Sequence, residues 1–490
     1  MKYFTTPIYY ANGKPHIGHL YSTLIADVLK KTNELLGKES FFLSGMDEHG
    51  QKVQETAKKN GQNPKDYVDN ISAEFLSFFD YFTIKTDSWV RTTSCEHKEA
   101  VAHFWNILQE KGFIYKSKYE GWYSVRDEAY YTNDEVTDGK GPTGAEVTWM
   151  EEECYYFKLS AFEKPLLKFY EENPDFIYPK KRQNEAMGFL KQGLKDFAVS
   201  RPKSRVSWGI EVPGDSDQTI YVWIDALVNY LTAAGYPDES YKEKWPAMHI
   251  LGKDILKFHG VYWPAMLMAA DIEMPKKMIV HGWWLNKSEK ISKSLDNAID
   301  LYQLAEDYKS DSVRYFLASS INIGEDGDFS HDLFKKIYLS DLANNLGNTF
   351  LRVLGLYDSK FDLKTPEKSK KIKNKYSDLI LETKKMLEEL SNDITLLPKY
   401  TNKVLECIKS INAYLHENKP WEETDEEILK NTMYFLLDNF KKIALLIYPI
   451  MPNISKIILD FFQLPIDMKS FDGKLKEALR YEEKPVLFPR

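Results

Sequence analysis

Two short basic motifs hold the residues best able to handle phosphate. In His16-Ile17-Gly18-His19, two imidazoles stand three residues apart, just after Ala11-Asn12-Gly13-Lys14-Pro15 breaks the chain and as a helical apolar period begins. Both rings then share one face of a first helical turn, beside the partial positive charge of a helix N-terminus, which suits a polyphosphate. Gly18 removes a side chain between them and lets a flat ring approach the backbone. A surface histidine pair or half of a metal site would use the same four residues. In Lys290-Ile291-Ser292-Lys293-Ser294, two lysines sit among small hydroxyl residues in the loop 286–295. Lysine is a mobile point charge able to neutralise a departing pyrophosphate. An exposed basic loop is the plainer reading of that stretch taken alone.

Other constellations are less charged. Trp223, Ala226, Leu227 and Tyr230 fall at i, i+3, i+4 and i+7, and Ile255 and His259 at i and i+4, two helical stripes that together make an aromatic box or part of an ordinary core. Asp47 ends a short apolar strand, and in open α/β sheets ligands bind beyond the carboxyl ends of strands. Asp254 follows the strand 248–251, where its carboxylate can accept from a ribose diol or cap a helix. Asn344, Asn348 and Arg352 recur at i, i+4 and i+8, a stripe able to read base edges and phosphate or simply to face water. Lys419-Pro420-Trp421 sets an indole after a helix end, where stacking on an unpaired base is worth ~1 to 3 kcal/mol; buried packing is the alternative.

The elements that must position these groups change character along the chain. Residues 1–114 alternate β-rich runs with helical periods, as parallel βα units do; 115–212 switch to short strands, turns and two helices, reading as an insertion; 213–295 resume the βα rhythm. Beyond Asp296 strand signals nearly vanish and helical periods occupy 331–357, 373–391, 398–418, 426–448 and 452–462, dividing the remainder into a segment 296–340 and a helical bundle 341–490.

At 490 residues and 43% hydrophobic content, the chain can fill about three domain cores at ~150 residues each. Its 73 acidic against 65 basic residues leave a net charge of −8, so no global positive field draws in nucleic acid and any such partner must be gripped by local patches. The 3 cysteines, Cys95, Cys154 and Cys407, are far apart and odd in number, which argues against a disulfide framework or a thiolate zinc knuckle and for a reducing compartment. The start of the chain lacks a signal-peptide core, and the longest apolar run, Ile443 to Met451, is far short of the ~20 residues of a membrane span. A soluble, cytoplasmic protein is expected.

Each basic motif follows a strand in one of the two halves of a split sheet. Together they resemble the HIGH and KMSKS signatures of class I aminoacyl-tRNA synthetases, with isoleucine at an apolar position of the second. Thr5 to Gly13, Gly45 to Gly50, Tyr221 to Ala226 and Gly252 to His259 extend the likeness, over nearly the whole chain, to the methionyl-tRNA synthetases. The resemblance implies a Rossmann-like α/β catalytic domain, its parallel sheet split by a connective insertion, followed by an all-α anticodon-binding bundle. It implies L-methionine, ATP carried with Mg2+, and tRNA(Met) as reactants, joined through a methionyl-adenylate, with no membrane partner.

By the same resemblance, the Ile8 carbonyl and Asp47 hold the substrate ammonium. Tyr10, Trp223, Ala226, Leu227, Tyr230, Ile255 and His259 enclose its side chain, with Leu227 standing where enteric members have proline. A thioether gains ~0.3 to 1.5 kcal/mol from each good contact between sulfur and an aromatic ring. His16, Gly18, His19, Lys253, Asp254, Lys290, Ser292 and Lys293 take the ATP, of which His16, His19, Lys290 and Lys293 are catalytic, and Asn344, Asn348, Arg352 and Trp421 contact the anticodon. Many relatives carry zinc knuckles in the insertion; this one has only Cys154 there, so no structural zinc and no protein metal site are expected, the fold being held by Trp122, Tyr123, Tyr130, Tyr131 and Trp149. No appended β-barrel follows the bundle, and a monomer is expected. A ligase for another amino acid and a catalytically silent tRNA-binding paralogue are the competing readings; the intact histidines and lysines speak against the second.

Overall fold

The computed structural model describes residues 1–127, 129–131, 133–286, 289–290, 299–367, 375–479 and 484–489. The chain forms two compact units, one of residues 1–15, 41–78 and 86–281, the other of residues 16–40, 79–85 and 282–490.

The first unit is built on a seven-stranded sheet: β1 (Lys2–Thr5), β2 (Tyr9–Tyr10), β3 (Ser40–Asp47), β4 (Ser88–Arg91), β5 (Ile177–Tyr178), β6 (Met248–Gly252) and β7 (Lys277–His281). The hydrogen-bonded order is β2-β3-β1-β6-β7-β5, with β4 also joined to β3. The pairs β1–β6, β6–β7, β7–β5, β2–β3 and β3–β4 all run parallel. Phe42, Leu43, Met46, Ile250, Leu251, Met278 and Val280 are fully buried, as expected where both faces of a parallel sheet are covered. Here the split sheet read from sequence is present. Its edge strand β5 was not foreseen, because those two residues lie inside the stretch that reads as an insertion. The rest of that stretch holds a four-stranded sheet in the order Ala129–Tyr131, Ile114–Ser124, Thr148–Phe157, Phe197–Ala198.

Local chemistry explains the other departures. Pro7 has no N–H to give a ladder, and the extended run expected over residues 2–10 is two strands rather than one. The helix expected over 254–270 is a 3-10 turn (Lys253–Ile255), a π-helical turn (Phe258–Tyr262) and only then an α-helix (Trp263–Ala269). Pro264 cannot bond the Gly260 carbonyl four residues back, and the Tyr170 hydroxyl donates to that oxygen instead at 2.5 Å.

In the second unit, helix α1 (Ile17–Leu35) has Ile17, Leu20, Leu24, Val28 and Leu35 buried, as their spacing predicts. Its other face is buried too, and Asp27 there is met by Arg314 at 2.7 Å and by Lys31, while Arg314 also donates to the carbonyls of Phe82, Pro449 and Ile450. The helices Lys375–Leu390, Leu397–Asn418, Glu426–Ile447 and Pro452–Phe461 lie within two residues of their expected bounds. A strand, Gly327–Phe329, went unforeseen; it pairs in parallel with Trp284–Asn286.

Candidate active site

In the first unit, β3 ends on Asp47, which is 3% exposed, and the register sets it opposite Tyr10 of β2. The Ala11 N–H closes the pair by donating to the Asp47 carbonyl at 3.0 Å. A glycine is required beneath, at Gly45: a Cβ there would stand 2.1 Å from the Val90 carbonyl oxygen and 2.9 Å from the Ile8 side chain. Ile8 is thereby held, buried, over the end of β3.

Two further helices carry most of the remaining wall: α2 (Cys95–Glu110) packs against α3 (Val222–Thr232), and α3 bears the expected stripe. Trp223 is half-buried and touches three rings: flat on Phe258 at 3.4 Å between centroids, and edge-on to Tyr10 and to His259 at 6.3 Å each. Ala226, Leu227 and Tyr230 are buried, Leu227 and Tyr230 as members of the main core. The Tyr3 hydroxyl donates to the Tyr230 carbonyl at 2.8 Å, tying this helix to the sheet.

Hydrogen bonding fixes the protons in this box. The His259 Nδ1 lies 3.0 Å from the Ile255 carbonyl and must donate to it, so Nε2 accepts from the Tyr230 hydroxyl at 2.7 Å. Burial lowers the His259 pKa to about 4, so the ring is neutral at physiological pH. His249, fully buried against Tyr230 with centroids 4.2 Å apart, is held well below the usual imidazole range by burial and by its neighbour His259. The result is an aromatic enclosure of uncharged side chains at the strand end that carries Asp47, suited to a zwitterion with a neutral side chain. Beyond β6, Lys253 and Asp254 form the 3-10 turn; the capping position there is Gly252, so Asp254 is not the helix cap that sequence allowed, and it is exposed.

In the second unit, His16 is the N-cap of α1 and forms a reciprocal capping box with His19. The Gly18 N–H donates to His16 Nδ1 at 3.1 Å, the His16 N–H donates to His19 Nδ1 at 3.2 Å, and the rings stack at 3.8 Å. With each Nδ1 accepting, each ring carries its proton on Nε2. Burial, with His16 beside it, holds His19 well below the usual imidazole range, so it offers a hydrogen bond rather than a charge. Gly18 gives room to the His16 ring itself, 3.0 Å from where a Cβ would stand.

Lys290 lies in a two-residue strand paired antiparallel with Leu285. Ser292 and Lys293 lie outside the described residues. Among the described residues, no group of three or more His, Cys, Asp or Glu side chains is gathered closely enough to hold a metal ion. In the insertion Trp122 packs edge-on to Trp149 at 5.4 Å, Tyr123 is buried with Arg205 over its ring, and the Tyr131 hydroxyl donates to Asp127. The Tyr130 side chain lies outside the described residues.

Farther along the second unit, helix α4 (Asn348–Phe361) presents Arg352, whose side chain reaches helix α5 (Leu397–Asn418). The Arg352 guanidinium stands 5.3 Å from the Trp421 ring, and its Nη1 reaches Asn412 Oδ1 at 3.3 Å and His416 Nε2 at 3.1 Å. Trp421 is 38% exposed, and its indole N–H donates to Glu422. Asn348, half-buried, begins α4 one turn before Arg352, and Asn344 is exposed in the preceding π-helical stretch Tyr338–Gly347.

The family profile described as "tRNA synthetases class I (M)" matches residues 2–148 and 142–354. The chain belongs to this family. Methionine–tRNA ligases of Rickettsia felis and Rhizobium meliloti are 42% and 40% identical to it, each match spanning 100% of this chain and 98% of the relative. The Mycobacterium tuberculosis methionyl-tRNA synthetase in complex with methionyl-adenylate superposes with a TM-score of 0.93 at 36% identity, covering all of both chains. The apo form of the same enzyme gives 0.85 at 33%, covering 100% of this chain and 98% of that one.

For a class I synthetase, sequence reasoning found most of the groups described above and missed some. Phe258 escaped because i, i+4 spacing from Ile255 assumes a regular helix, whereas the π turn brings Phe258 under Trp223. His249 lies on a buried strand with no periodic signal. Asn412 and His416, four apart on α5, are a readable polar pair that was passed over.

Proposed function

We propose that the protein ligates L-methionine to tRNA(Met) in two steps. The methionine carboxylate attacks the α-phosphorus of ATP in line, a P–O bond forms and pyrophosphate leaves. The terminal adenosine hydroxyl of the tRNA then attacks the acyl carbon, and AMP leaves. A carboxylate nucleophile needs no general base, so catalysis consists of positioning and charge neutralisation. His16, His19, Lys290 and Lys293 serve the phosphates, with Gly18, Lys253, Asp254 and Ser292 completing the ATP contacts and Mg2+ arriving with the nucleotide. Asp47 and the Ile8 carbonyl take the ammonium, and Tyr10, Trp223, Ala226, Leu227, Tyr230, Ile255 and His259 take the side chain.

The observation that carries this reading is the neutral ring cluster of Tyr10, Trp223, Tyr230 and His259 beside Asp47. A thioether fits it: polarisable, uncharged, and a weak acceptor for a ring or hydroxyl proton. Crystals soaked in methionine test it; sulfur is expected among Tyr10, Trp223 and His259, with the ammonium at Asp47, and density elsewhere contradicts the assignment. Arg352, Trp421, Asn348 and Asn344 are read as the anticodon face. We read the chain further as a cytoplasmic monomer without structural zinc, divided as catalytic halves 1–114 and 213–295, insertion 115–212, stem-contact segment 296–340 and anticodon-binding domain 341–490. No helix among the described residues is long and apolar enough to cross a membrane.

A further inference from the structure

We propose that Asp225 is a positioning residue for methionine: its carboxylate, through His49, locks the strand end that carries Asp47 to the helix that carries Trp223, Ala226 and Tyr230. The amine-binding and side-chain-binding halves of the site are thereby kept at one spacing. This inference rests on the methionine reading of that site.

Asp225 lies between Trp223 and Ala226 in sequence but leaves α3 on a different face from their stripe, so it takes no part in the box. It is 1% exposed, and both carboxylate oxygens are used: Oδ2 accepts from His49 Nδ1 at 2.6 Å, and Oδ1 from His97 Nε2 at 2.8 Å. His97, fully buried on α2, also bonds Thr232 through Nδ1 at 3.0 Å and so grips both ends of α3. Burial works to raise the Asp225 pKa, yet the two rings outweigh it and hold the carboxyl at about 2, ionised.

The other end of the link has no slack. Directly after Asp47, the Glu48 N–H donates to Thr92 Oγ1 at 3.0 Å, its carboxylate takes Arg91 and Thr93 at 2.5 Å each, and its carbonyl takes the Trp208 indole N–H at 2.6 Å. His49 follows, edge-on to Trp208 at 5.6 Å, and the Gly50 N–H donates to the Trp208 carbonyl at 3.0 Å. A shift of α3 against β3 therefore has to break the bond between His49 and Asp225. Stability alone is a poor reason for such a group, since apolar packing of the same volume is often neutral or stabilising by comparison with a buried ionic cluster.

Amino-acid-dependent exchange of pyrophosphate into ATP, on variants whose thermal unfolding remains cooperative, tests the role. Asp225→Asn and His49→Ala are expected to raise the KM for methionine about tenfold or more, while kcat and the KM for ATP each move less than about threefold. His49→Gln, whose amide N–H can still reach the carboxylate, is expected to recover most of the loss. Should Asp225→Asn not fold, the two His49 variants carry the test. Equal changes in both KM values, a fall in kcat alone, or a His49→Gln no better than His49→Ala overturns the inference. Absence of methionine-dependent exchange in the unaltered protein would instead remove the reading beneath it.

Discussion

The aromatic box and the face around Trp421 use similar residues under opposite rules. In the box, Tyr230 and His259 are 1% exposed, their protons are assigned by the bond between them and by the Ile255 carbonyl, and the indole of Trp223 is wedged among three rings, with Tyr10 at the exposed rim. On the bundle, Trp421 is 38% exposed and Arg352 is steadied from one side by Asn412 and His416. A small apolar side chain is selected by a dry, preformed enclosure. A base offered by a flexible single strand needs an open platform with a cation at its edge.

That contrast is broken most readily at Trp223. Trp223→Ala is expected to raise the methionine KM in exchange about 30- to 150-fold, the ~2 to 3 kcal/mol that a large buried side chain contributes, and to leave tRNA binding unchanged. An equal loss in tRNA affinity would mean that the two regions are not separate devices. Lys293→Ala should depress adenylate formation well over tenfold, about the effect of removing one charged contact to a transition state, with tRNA affinity again unaffected. Trp421→Ala should do the reverse, costing ~1 to 3 kcal/mol of tRNA binding by stacking loss while exchange is preserved; equal effects of these two variants on exchange would refute the division of labour.

The last effect expected is on stability against pH. His259 is held at about 4 against an ordinary value near 6.5, so the folded state resists a proton that the unfolded chain accepts. Its contribution is whole above pH ~6.5 and is lost as pH falls toward 4. The melting temperature should therefore fall less steeply across that window in His259→Gln than in the unaltered protein, and parallel curves would show that the ring is not held neutral by burial.

What could be read from sequence follows the same contrast between local and non-local signals. Four of the five expected helices were legible to within two residues because apolar period and end signals are local; α5, for instance, opens with Leu397-Pro398, whereas the period over 331–357 is broken by the π-helical stretch Tyr338–Gly347 and ends at Phe361. The stripe on α3 was legible for the same reason. The link between His49 and Asp225 was not, since its partners are 176 residues apart and neither shows a periodic pattern. Phe258 was hidden by a π turn whose cause, Pro264, lies six residues downstream. β5 was hidden because two residues of strand carry almost no pattern, and only the parallel pairing with Met278 and Ile279 reveals them as part of the main sheet.

Specificity for methionine is the central claim, and amino-acid-dependent exchange of pyrophosphate into ATP, run on the unaltered protein over a panel of the standard amino acids, measures it most directly. L-Methionine is expected to stimulate exchange with a KM well below that of any other member. A flat panel, or a stronger response to isoleucine, leucine or valine, would contradict the account.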